Sequence, residues 1–269
     1  MLVKLNRTML RETIQHVLTE MSDASEAFEA RAAKAVELSC PEGIKATKMG
    51  STGLSDVRIE APGVVTYLEV KMGHRDNLAN PRIFFLNGAW RTTYATPVAN
   101  KAVTLANSSP DAAQFLDDLR DFIGSVDIAV PTTKGGLKNP DAVPLETMRQ
   151  FVDQRGSRYF TKEQGIDIGD LVTQHYLLGK DEPAHYLQAG DDLYLIGPED
   201  PLGLQDVMPE GEKIPVLSGK GDFKLRVSTR SEFYEVQAEI KIKEFTPPSS
   251  PASVFGGDKI NPFELLCGE

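Results

Sequence analysis

The sequence predicts an α/β fold with a β-rich C-terminal extension, and three observations predict it. Apolar residues recur at helical spacing over 23–38, where Phe28, Ala32, Ala35 and Val36 form one stripe. Between 44 and 72, short runs alternate apolar and polar residues, as strands with one buried face do. Beyond about residue 181 the helical periodicity gives way to paired alternating runs with turn residues between them.

Each element follows from its local pattern. Leu10, Ile14, Val17, Leu18 and Met21 share a face, so 7–21 reads as a helix. The helix over 23–38 has Asp23 or Ser25 available as its cap. The stretches "IKATKM", "LSDVRIE" and "VVTYLEVKM" read as three strands, the last two separated by a Pro62-Gly63 turn. From Asn77 to Trp90 the chain reads as loop around an apolar "IFFL". Helices are predicted over 97–107 and 110–123, the second opened by Ser109-Pro110, a cap followed by a first-turn proline. In it Phe115, Leu116, Leu119, Phe122 and Ile123 fall at helical spacing. "VDIAV" at 126–130 reads as a buried strand, "TTKGGLKNPDAVP" as a loop, and 144–154 and 167–179 as helices. "AHYLQAGDDLYLIG" and "DFKLRVSTRSEFYEVQAEIKIKEF" read as hairpins. The tail, rich in Pro, Ser and Gly, is expected to be extended or partly disordered. The expected division is a core over 1–180, a β-rich acidic extension over 181–245 and a tail over 246–269.

A chain of 269 residues with 41% apolar and 25% charged side chains can build a sizeable core. No apolar run is long enough to span a bilayer, and the start "MLVKLNRTML" lacks the apolar stretch of a secretory signal. Cys40 and Cys267 form no C-x-x-C pair, so a disulfide framework is not expected and a cytoplasmic location is. His16, His74, His175 and His185 are scattered without an H-E-x-x-H, which argues against zinc. The net charge of -10 is unevenly spread. Residues 181–269 hold 8 basic and 17 acidic side chains, whereas residues 40–101 hold 8 basic and 5 acidic.

The charges inside the strand-like stretch "GLSDVRIEAPGVVTYLEVKM" are the most informative feature. Alternation puts Glu69 and Lys71 on one face of their strand with Val65 and Tyr67. Asp56 shares a face with Arg58 on the preceding strand. A hairpin would therefore bring Asp56 beside Glu69. Two converging carboxylates repel unless a cation lies between them. Mg²⁺, a hard ion that prefers oxygen donors and retains waters, suits that place, and the Val70 carbonyl can add a donor. Lys71 beside it can orient or help deprotonate a water. Such a set suits phosphodiester hydrolysis.

Asp56 followed by Glu69-Val70-Lys71 resembles the PD-(D/E)xK nuclease superfamily, which includes type II restriction endonucleases, Holliday-junction resolvases and phage nucleases. Ser55 stands where that family often has proline. The family often carries a further glutamate on the preceding helix, and Glu29 in "EAFEARAAKAV" matches it, with Glu26 one turn earlier as the fallback. The resemblance covers residues 22–130 in the order helix, three strands, helix, strand. It implies a restriction-endonuclease-like core, a mixed central sheet flanked by helices. It further implies a Mg²⁺-dependent DNA endonuclease, with Mn²⁺ as a substitute ion. Asp56, Glu69, Val70 and Glu29 are then the metal set and Lys71 the water-positioning amine. Double-stranded DNA is the implied partner, and a homodimer the implied assembly, since both strands must be cut. A phage or recombination nuclease acting on branched DNA or ends, and an inactive nucleic-acid-binding protein of the same fold, are the alternatives.

Lys48, Arg58, His74, Arg75, Arg82, Arg91 and Lys101 are the candidate contacts to nucleic acid. Trp90 and Tyr94 could stack on bases, although core packing explains them as well. A second Asp…Glu-x-Lys occurs at Asp222 and Glu239-Ile240-Lys241. The chain ends soon after Lys241, leaving no helix and strand to complete a core there. Neither "GKGDF" nor "TKGGLK" fits a P-loop.

Overall fold

The computed structural model describes residues 24–50, 55–74, 77–123, 145–155, 163–178, 182–229 and 234–268. The chain forms two compact units. The first comprises Met1–Gly73, Lys180–Val216 and Ser249–Glu269; the second comprises His74–Gly179 and Leu217–Pro248. The chain thus leaves and re-enters the first unit, whereas the sequence suggests consecutive segments at 1–180, 181–245 and 246–269.

In the first unit a helix over 24–39 (α1) precedes β1 (Lys45–Lys48), β2 (Val57–Ala61) and β3 (Val64–Lys71). The sheet continues with β8 (Ala184–Ala189) and β9 (Asp192–Leu195) in the order β1-β2-β3-β8-β9. Its neighbours are antiparallel except β3 and β8, which are parallel, so the sheet is mixed. Gly63 in the β2–β3 turn has φ 78°, the left-handed conformation that a turn with Pro at its second and Gly at its third position demands. One face of the sheet is apolar, with Val57, Ile59, Leu68, Val70, Tyr186, Leu193 and Leu195, and belongs to the same core as Ala32, Ala33 and Val36 of α1. The stripe read from sequence is therefore the packed face.

In the second unit β4 (Asn77–Ala79), β5 (Arg82–Leu86), β6 (Ala89–Thr92), β7 (Glu163–Asp167), β10 (Ser218–Thr229) and β11 (Tyr234–Thr246) form an antiparallel sheet. Its helices are α2 (Pro97–Ser108), α3 (Pro110–Ile123), α4 (Leu145–Arg155) and α5 (Gly169–Thr173), which runs on into a π-turn over Gln174–Leu178. Thr96 caps α2 by accepting from Ala99 N. Phe115, Leu116 and Leu119 of α3 are buried as their spacing predicts. Both predicted C-terminal hairpins form, as β8–β9 and β10–β11.

Three expectations are corrected. The loop around "IFFL" is the hairpin β5–β6; Asn87 and Gly88, at φ 54° and 78°, make the tight turn that joins its strands. β3 pairs in parallel with β8, and the strand read at 126–130 lies outside the described residues, as do the helix over 7–21 and the loop at 132–144. The Cys40 and Cys267 thiols, expected to be separate, are bonded to each other. The C-terminal tail is ordered structure rather than an extended appendage. Ser250 N donates to Asp192 Oδ1 (2.5 Å), Leu193 N to Ala252 O (2.9 Å), Val254 N to Gln188 Oε1 (3.1 Å), and Asn261 Nδ2 to Ser39 Oγ (2.7 Å). Asn261 also caps α6 (Pro262–Cys267), whose Phe263 is fully buried. The polar residues that look like loop composition satisfy the backbone groups of a buried segment.

That anchoring gives a direct test. Phe263→Ala leaves a cavity in the first unit's core and is expected to cost about 3–5 kcal/mol. Urea denaturation read by circular dichroism should show the midpoint falling. An unchanged midpoint would mean that the tail does not share in the cooperative core.

Candidate metal centre

The register of β2 with β3 ends with Val57 paired to Leu68, and Asp56, the residue just before β2, is close enough for the Glu69 charge to act on it. The two carboxylates thus interact electrostatically. Asp56 Oδ2 accepts from Val70 N at 2.8 Å, and Asp56 O accepts from Met49 N at 2.8 Å, so the residue is fastened to both neighbouring strands. Ser55 Oγ donates to Glu182 O at 2.8 Å, a bond that a proline at this position could not make. Glu69 is 3% exposed, and its Oε1 is 2.9 Å from Lys71 Nζ. The pair lies along one strand face, as alternation requires.

The electrostatics single out Asp56. Its carboxyl is pushed up to about 6, first by burial and then by the neighbouring Glu69 charge. Lys71 and the Val70 N–H act in the opposite direction, and Glu29 adds a smaller upward push. A half-buried acid beside a buried second acid is the environment that a cation relieves.

Glu29 lies on α1, close enough for its charge to act on Asp56. Its partners are Lys48, with Nζ 3.7 Å from Glu29 Oε2, and Ser25, whose Oγ donates to Glu29 Oε1 at 3.3 Å. Lys48 also lies 3.5 Å from Glu26. Among the described residues no three His, Cys, Asp or Glu side chains are grouped so as to hold a metal ion. A donor set here would consist of the two interacting carboxylates of Asp56 and Glu69 rather than a closed cage. That suits Mg²⁺, which commonly takes one or two protein carboxylates and fills the rest of its octahedron with water and substrate oxygens.

The other candidate residues are distributed as follows. Lys48 and Arg58 lie in the first unit; His74, Arg82, Arg91 and Lys101 lie in the second; Arg75 falls outside the described residues. Arg58 pairs with Glu60. Arg82 Nε lies 2.7 Å from Glu235 Oε2, and Arg91 Nε donates to Leu86 O at 3.2 Å. The His74 ring meets Phe245 edge-on, with centroids 5.3 Å apart. Trp90 is 3% exposed and packs against Phe85 and Phe115, which is the core role, whereas Tyr94 is exposed. The contacts of Lys48 are hidden in the sequence. Its partners are two carboxylates of α1, reached across 22 and 19 positions of chain, and no local pattern announces them.

The competing Asp222 and Glu239-Ile240-Lys241 lie on β10 and β11 of the second unit. Asp222 stands opposite Lys241 and Glu239 opposite Lys224. Lys243 Nζ is 2.9 Å from Asp222 Oδ2, and Arg226 Nε is 3.9 Å from Glu239 Oε2. Here each carboxylate faces cations, so the arrangement is a ladder of cross-strand ion pairs.

Comparison with protein-family models, with curated proteins and with solved structures finds no match to this chain.

Proposed function

We propose that this protein is a Mg²⁺-dependent DNA endonuclease of the type II restriction kind, with its metal centre at Asp56 and Glu69. The observation that carries the reading is the fastening of Asp56 to Val70 beside Glu69, close enough for their charges to interact, with Lys71 paired to Glu69. Asp56 and Glu69 would hold the ion through carboxylate oxygens, and the Val70 carbonyl would add a donor. When bound, the ion supplies Lewis acidity toward a phosphate oxygen and a water. Lys71 positions the attacking water and offsets charge gathering on the phosphate. Asp56, fastened by Val70 N–H, keeps its orientation through the reaction.

The charge distribution is compatible with a DNA partner. The second unit holds 17 basic and 17 acidic side chains, whereas the first holds 12 basic and 22 acidic. A neutral second unit can read a duplex without repelling it, and the ion offsets the negative field beside the site. Two strands are cut when two such centres act together, so the assembly proposed is a homodimer.

Supercoiled plasmid incubated with the protein is expected to give discrete fragments with Mg²⁺ and none with EDTA. Glu69→Ala should abolish the fragments while leaving the circular dichroism spectrum unchanged. Intact plasmid with Mg²⁺ and Mn²⁺, across substrates that include branched duplexes, would overturn the nuclease reading.

A further inference from the structure

The two cysteines of the chain are joined, Cys40 just after α1 and Cys267 at the end of α6. They are unequally placed: Cys40 is 1% exposed, whereas Cys267 lies open to solvent. The bond stands in the wall of an apolar pocket of about 310 Å³, lined also by Ile44, Ala61, Pro62, Val64, Leu202 and Leu266. Gly43, another lining residue, leaves the bond bare on its side. A Cβ there would stand 2.9 Å from Cys40 Sγ and 3.4 Å from Cys267 Sγ. The other anchors of the tail stop short of Cys267. Asn261 Nδ2 donates to Ser39 Oγ and Val254 O, and Phe263 is fully buried. Beyond it Glu264, Leu265, Cys267 and Gly268 are exposed, and Leu266 is half-buried. With six residues, α6 is too short to hold its helix without packing. Its last turn is therefore held by Phe263 at one end and by the disulfide at the other.

We infer that the Cys40–Cys267 bond is a redox latch, which a dithiol opens to release the last turn of α6 and uncover the apolar pocket. A thiolate of the dithiol attacks Cys267 Sγ, the sulfur that solvent reaches. As the new sulfur–sulfur bond to Cys267 forms, the bond to Cys40 breaks, and Cys40 leaves as a thiolate and takes up a proton. The second thiol of the reductant then attacks the reductant's own sulfur in that mixed disulfide. Cys267 leaves and is protonated in turn. The dithiol ends as a disulfide, and its two electrons and two protons end on the two cysteines. Only 264–268 is unfastened. The bonds that Ser250, Ala252 and Val254 make with Asp192, Leu193 and Gln188 do not depend on the disulfide, nor does the burial of Phe263. Exchange in the reverse direction shuts the latch. An oxidising compartment therefore keeps the end of α6 docked, and a reducing one frees it. None of these residues belongs to the proposed metal centre, so the inference stands apart from that reading.

The test uses the full-length folded protein, with dithiothreitol as the dithiol. On reduction, amide hydrogen exchange across 264–268 is expected to speed up about tenfold or more, while exchange in the β8–β9 hairpin and the circular dichroism spectrum stay as they were. The fluorescence of an apolar dye, anilinonaphthalene sulfonate, should rise as the pocket is uncovered. Brief treatment with glutathione, quenched in acid and mapped by mass spectrometry, should place the mixed disulfide on Cys267. Cys267→Ser should show the fast exchange without reductant and no response to it, and Cys40→Ser serves the same purpose if the first variant folds poorly. The denaturation midpoint is not the readout, because any cross-link also changes the unfolded chain. A bond that dithiothreitol cuts only in urea, a spectrum that collapses on reduction, a mixed disulfide on Cys40, or exchange across 264–268 unmoved by reduction would each overturn the inference.

Discussion

Lys71→Met is expected to lower the rate of DNA cleavage by about 10²–10³-fold, the usual effect of removing one preorganised charge from a hydrolytic site. The substitution keeps the length and apolar stem of the side chain and removes only the ammonium. The ammonium is 2.9 Å from Glu69 Oε1, on the strand face that also carries the proposed metal ligand. It therefore lies where a water bound beside that carboxylate would be met. Because Lys71 is not itself a donor to a cation, Mn²⁺ uptake should persist in the variant. The two measurements together separate a chemical role from a structural one. Single-turnover cleavage reads the first and ion titration reads the second. A variant that cleaves as fast as the wild type would remove Lys71 from the mechanism. A variant that loses the ion as well would make the lysine a support for Glu69 rather than a participant in the reaction.

The nearness of Asp56 to Glu69 was legible in the sequence, for a physical reason. The period of two along a strand decides which residues share a face, and a two-residue Pro62-Gly63 turn leaves little freedom in register. Asp56 beside Glu69 follows from those two facts. α1 was legible because its apolar stripe over Phe28, Ala32, Ala35 and Val36 recurs at helical spacing. The partner of β3 was not legible. β8 joins it in parallel after an excursion through the whole of His74–Gly179, and no local pattern records which distant strand completes a sheet. The tail misled for a different reason. Ser250, Ser253 and Asn261 have the composition of exposed loop, yet each is buried and hydrogen-bonded. The Cys40–Cys267 bond depends on that tail being folded, so it was hidden together with it. Lys48 shows the same limit within the site. Nothing local to Lys48 announces that α1 brings Glu26 and Glu29 within reach of it.

Asp56→Asn is expected to abolish ion uptake and cleavage and, near neutral pH, to make the protein more stable. Aspartate ordinarily titrates near 3.8, whereas in the fold Asp56 is pushed up to about 6, first by burial and then by Glu69. The folded state therefore holds the Asp56 proton more tightly than the unfolded chain does. Below the ordinary value both states are protonated and the group costs the fold nothing. Between the two values stability falls as pH rises, and above about 6 the full cost of a buried, opposed charge is carried. At about 1.4 kcal/mol for each unit, that cost is at most about 3 kcal/mol. Asparagine keeps an oxygen to accept from Val70 N–H and removes the charge that faces Glu69. Denaturation midpoints should therefore rise in the variant at about pH 8 by the equivalent of about 2–3 kcal/mol, and the gain should vanish by about pH 4. A variant less stable than the wild type at the higher pH would mean that Asp56 is held by favourable partners rather than strained against Glu69. A gain in stability with loss of the ion would identify Asp56 as a residue kept for function at the expense of the fold.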